Sequence, residues 1–78
     1  MKISPKAFQV LKALQKHSEG GIREDVSGNK WKDIYLDNAR PDGMSPRSFS
    51  GYLSALEAAG LYISYGDDCF GQVRIQEN

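Results

Sequence analysis

The sequence predicts an α+β domain of three helices, a small antiparallel sheet and a C-terminal β-hairpin, filling residues 1–78 as one unit. Three observations predict it. Two stretches open on Ser-Pro and then carry apolar residues at helical spacing. Residues 30–39 place Trp31, Ile34 and Tyr35 three and four apart. Residues 62–65 and 72–76 each alternate at period two, as the strands of a hairpin do. With 40% hydrophobic and 26% charged residues, the composition is that of a folded domain.

Ser4 suits an N-cap, and Pro5 suits the first helical position, where its missing N–H would be unpaired anyway. Ile3 and Phe8 stand at hydrophobic-staple spacing. Ala7, Phe8, Val10, Leu11 and Leu14 gather on one side of this helix, and Lys6, Gln9, Lys12 and Lys16 on the other. Gly20 and Gly21 are expected to stop it. Gly21-Ile22-Arg23 reads as a very short strand and residues 25–29 as a loop. Lys30 to Ala39 reads as the second helix, with Leu36 off its apolar face. Arg40-Pro41-Asp42-Gly43 reads as a turn, because the residue before proline is pushed extended and Gly43 permits positive φ.

The third helix is expected from Ser45 to Ala59, with Phe49, Tyr52, Leu53, Leu56 and Ala59 inward. Gly60 supplies a left-handed stop. The opposite face holds Arg47, Ser50, Gly51, Ser54 and Ala58. A solvated face normally carries long helix-forming side chains, and Gly inside a helix costs about 1 kcal/mol relative to Ala. Small residues around one arginine describe a face that something approaches closely. Tyr62–Tyr65 and Gln72–Gln76 then form the hairpin, with residues 66–71 at its tip and Phe70 folded back.

Net charge is zero, but the chain is polarised: seven basic against three acidic residues in 1–32, and three against seven in 33–78. An anionic partner is expected to prefer the N-terminal half. One cysteine excludes an internal disulfide, and one histidine with one cysteine excludes the ordinary zinc sites. His17, at the end of the first helix, complements its dipole. Cys69 lies beside Asp67 and Asp68, which disfavour its thiolate. There is no phosphate loop and no nucleophile paired with a base, so neither an enzyme nor a bound cofactor is expected. No apolar run reaches the roughly 20 residues of a membrane span, and no signal peptide precedes the first helix. A cytoplasmic protein is expected.

The element order, together with residues 44–61, resembles bacterial winged helix-turn-helix transcription regulators. Their recognition helix reads roughly Leu-Ser-x-x-Thr-Val-Ser-x-x-Leu-x-x-Leu-Glu-x-x-Gly-Leu. Met44, Ser45, Phe49, Ser50, Leu53, Leu56, Glu57, Gly60 and Leu61 fill the corresponding places. The resemblance implies a third helix in the major groove of double-stranded DNA, with Arg47 reaching a guanine. Ser45, Ser50 and Ser54 would donate to phosphates or bases, and Gly51 would let the backbone come near. Lys30 and Lys32 would meet phosphates from the start of the second helix, and Gln72 and Arg74 would serve in the wing. Regulators of this kind often dimerise, so a homodimer on DNA is expected. The alternative is a protein–protein interaction module, in which the small-residue helix face and the acidic tip at Asp67 and Asp68 meet a protein partner.

Overall fold

The computed structural model describes residues 3–65 and 70–75. Its elements run α1 (Pro5–His17), β1 (Glu19–Glu24), β2 (Lys30–Tyr35), a 3-10 turn (Leu36–Asn38), α2 (Pro46–Ala58), β3 (Tyr62–Ser64) and β4 (Phe70–Ile75). The four strands form one antiparallel sheet in the order β1-β2-β4-β3. Two helices and a four-stranded sheet replace the three helices and small sheet that the sequence implies, so the winged helix-turn-helix architecture does not stand.

The difference lies between Lys30 and Asn38. The expected second helix is a strand followed by a single 3-10 turn. Trp31, Ile34 and Tyr35 fit helical spacing, yet they are also β-favouring residues, and tertiary pairing decides between the two. β2 finds partners on both sides, β1 through Arg23↔Trp31 and Glu24↔Lys30, and β4 along its full length. Ile34 enters the main core while Trp31 is buried apart from it. A strand buries both faces in this way; a helix with one apolar stripe does not.

Both helices pack on one face of the sheet. The core joins Val10, Leu11 and Leu14 of α1, Phe49 and Leu56 of α2, and Ile34, Tyr62 and Val73 of the sheet. Ser4 caps α1 by accepting from the Ala7 N–H at 3.1 Å, and Ser45 caps α2 by accepting from the Ser48 N–H at 3.1 Å. α1 ends earlier than its glycines suggest, at Ser18, and Gly20 and Gly21 belong to β1. Phe8, expected inward, is 49% exposed and lies beneath the Lys12 ammonium, 5.7 Å from the ring centre. α2 closes as expected. Gly60 has φ +77°, its N–H reaches the Glu57 carbonyl at 3.0 Å, and the Leu61 N–H reaches the Leu56 carbonyl at 2.9 Å.

Gly71 is required by a close approach instead. A Cβ there would overlap the Ile63 carbonyl oxygen and the Tyr62 phenol, which lies across it. Phe70, expected in the hairpin tip, opens β4. The remainder of that tip, with Asp67, Asp68 and Cys69, and Gln76 at the strand's expected end, lie outside the described residues.

Candidate functional site

α2 presents Arg47, Ser50, Gly51 and Ser54 at positions i, i+3, i+4 and i+7, all exposed. They form one solvent-facing stripe. Phe49 and Leu56, buried on the other side, fix its direction. An added Cβ at Gly51 would meet nothing within 4 Å, so the helix backbone is bare there. No described carboxylate pairs with Arg47. Ser45, at the head of the stripe, is already engaged as the cap, and its hydroxyl donates to the Ser48 hydroxyl at 3.0 Å.

Beside this stripe runs an open cleft of about 610 Å³ between α2, the 3-10 turn and β3. Leu36, Phe49, Leu53 and Tyr62 form its apolar floor, and Asp37, Arg40, Ser50 and Glu57 stand among its polar lining. Tyr62 is 3% exposed. Burial, and secondly the nearby Glu57 carboxylate, push its phenol pKa upward. Arg40 brings a second guanidinium to the cleft beside α2, and no described carboxylate pairs with it. Sequence reasoning left Arg40 in a turn; only the cleft joins it to α2.

The other residues expected at the site are dispersed. Lys30 and Lys32 lie on β2, not at a helix start, and alternate in phase with Ile34 towards the helix-covered side. Gln72 and Arg74 share β4 but point to the opposite face of the sheet. Gln72 is 8% exposed, and its amide nitrogen donates to Asp33 Oδ1 at 3.3 Å, so it is held within the sheet. The structure therefore brings together Arg47, Ser50, Gly51 and Ser54, adds Arg40, and separates the two lysines and the two β4 residues from them.

Sequence reasoning also missed what the sheet's helix-free face carries. Tyr35 on β2, Phe70 on β4 and Tyr65 just past β3 stand in a row, with ring centres 4.9 Å and 5.3 Å apart. No local signal carried it: Tyr35 stood at helical spacing and Phe70 in the expected hairpin tip, and only strand pairing shows that the three are neighbours. Among the described residues no group of His, Cys, Asp and Glu could hold a metal ion, and no helix is long and apolar enough to cross a membrane.

No protein-family model, curated protein or solved structure matches this chain. The class stated here is therefore the one the geometry defines: a small α+β domain of two helices on one face of a four-stranded antiparallel sheet.

Proposed function

We propose that the chain is a sequence-specific double-stranded DNA-binding module, a small transcriptional regulator whose α2 enters the major groove. One observation carries the reading. The exposed stripe of α2 is built of small residues around an arginine that no described carboxylate neutralises, over a backbone left bare at Gly51. A groove admits a helix whose side chains do not hold it off, and the planar arginine fork matches guanine O6 and N7. Arg40, in the cleft beside the helix, adds a phosphate contact. Such a role belongs in the cytoplasm, and a homodimer would read two half-sites.

Selection of random duplexes against the wild type and Arg47→Ala tests this. The expected result is enrichment of one motif by the wild type, and a loss of about 1–3 kcal/mol in the variant, concentrated at one base pair. Arg47→Lys should restore only part of the preference, because a point charge cannot copy the fork. If the wild type enriches no sequence, the reading fails.

The cleft favours a second reading. A floor of Leu36, Phe49, Leu53 and Tyr62 beside the small-residue stripe suits a side chain of a protein partner. In that case Leu53→Glu abolishes partner binding, while Arg47→Ala leaves duplex affinity unchanged at every sequence.

A further inference from the structure

The helix-free face of the sheet is ordered in three rows running across the strands. Arg23, Trp31 and Arg74 are register neighbours in the first row. Asp33, Gln72 and Ile63 form the second. Tyr35, Phe70 and Tyr65 form the third, and the Tyr65 N–H reaches the Phe70 carbonyl at 3.4 Å. Tyr35 and Tyr65 are 50% and 48% exposed. No described helix covers these rings, and the duplex-reading stripe of α2 makes no use of them.

The surroundings decide what the row suits. An apolar protein surface would want aliphatic side chains about the rings. Here Ile63 is the one aliphatic member of the three rows; besides the buried Trp31, the others around the rings are two arginines, an aspartate and a glutamine. The Asp33 carboxylate is already engaged, accepting from Arg23 Nη2 on one oxygen and from the Gln72 amide on the other, each at 3.3 Å. Glu19 stands at the far β1 edge, in register with Asp33. No described carboxylate pairs with Arg74. Half-exposed aromatic rings two rows along the sheet from an arginine with no described carboxylate partner, on a sheet whose other face is covered by helices, are a surface on which unpaired bases stack while phosphates meet the cation.

We propose that this face binds single-stranded nucleic acid, with bases stacked along Tyr35, Phe70 and Tyr65 and the phosphodiester backbone passing Arg74. The site is independent of the α2 reading, because it lies on the opposite side of the sheet.

The test is fluorescence anisotropy of the full chain with labelled oligo(dT) and oligo(rU) at low salt, beside a duplex. Both single strands are expected to bind. Tyr35→Ala and Tyr65→Ala are each expected to weaken them about tenfold or more, the scale of one lost base stack. Arg74→Gln should flatten the salt dependence by close to one phosphate contact. Equal affinity for the two strands assigns recognition to base and phosphate; preference for oligo(rU) adds a 2′-hydroxyl contact. Arg47→Ala should leave single-strand binding intact, which separates failure here from failure of the duplex reading. The proposal is overturned if neither strand binds, or if both tyrosine variants bind as the wild type does. It is also overturned if sedimentation shows self-association that Tyr35→Ala abolishes, since the row would then be a homodimer surface. Both tyrosines are half exposed and stand outside the core, so unchanged thermal melting confirms that the variants fold.

Discussion

Asp25 holds the β1–β2 connection with both of its oxygens. Oδ1 accepts from the backbone N–H groups of Ser27 at 2.8 Å and Asn29 at 2.9 Å, and Oδ2 accepts from the Trp31 indole N–H at 2.9 Å. The indole bond first, with smaller help from the Asn29 and Ser27 backbone bonds, holds its carboxyl below the ordinary pKa against the opposing effect of desolvation. A depressed pKa contributes stability that is present above the unfolded value and is lost as pH falls through the folded one. The domain should therefore lose stability below about pH 4, and Asp25→Ala should remove part of that slope. Acid titration of both proteins, followed by Trp31 fluorescence, checks this. Two glycines make opposite predictions. Gly71→Ala drives a methyl group into the Ile63 carbonyl and the Tyr62 ring, and should cost about 1–3 kcal/mol, the overpacking range. Gly51→Ala meets open space on an exposed helix and should stabilise by up to about 1 kcal/mol while weakening duplex binding. Denaturant melts with duplex titrations read both effects. A Gly51→Ala protein that is more stable and binds as well as the wild type would show that nothing approaches that backbone.

At the level of elements, the two helices were legible because their ends are written locally. Ser4 and Ser45 cap, Pro5 and Pro46 start, and Gly60 closes α2 within a few residues of each apolar stripe. The segment from Lys30 to Tyr35 was not legible in the same way. Its three large side chains satisfy helical spacing and strand propensity equally, and the deciding bonds come from Arg23, some eight residues back, and from residues 70–75. The site divided along the same line. Arg47, Ser50, Gly51 and Ser54 could be grouped because one helix carries them, whereas the placing of Lys30 and Lys32 depended on residues 30–39 being a helix, and that of Gln72 and Arg74 on the hairpin acting as a wing beside α2. Leucines in α2 also separate once burial is known. Leu56 is fully buried, so Leu56→Ala should cost about 2–5 kcal/mol; Leu53 is half-buried at the cleft and should cost less. Thermal melts order the pair, and equal losses would mean the cleft is closed in solution.

For the whole molecule, two surfaces of different chemistry lie on opposite sides of one sheet. Electrostatics should distinguish them. Replacing Arg40 and Arg47 with Gln should lower the salt slope of duplex binding by about 1, because the phosphate contact of Arg40 is lost while Arg47 reads a base edge. Replacing Lys30 and Lys32 with Gln should change it little, since both lie on β2, outside the exposed stripe of α2. Equivalent losses from the two pairs would mean that only diffuse attraction operates. The sheet also guards its own margin. β1 is exposed along its whole length, yet its register is broken between Glu19 and Arg23 and it carries charges at both ends, so it makes a poor template for another chain's strand.

The order of the strands has a consequence in time. β4 comes last of the described elements in sequence, but in space it stands between β2 and β3. Until it arrives, the β1–β2 hairpin and β3 have no bonds to each other, and Ile34 and Tyr62 lack Val73, with which they share the core. A chain leaving the ribosome can form its helices early, but it cannot lock them to a finished sheet before residues 70–75 have emerged. Nascent chains stalled short of Phe70 should be digested readily by protease, and chains released past Ile75 should resist it.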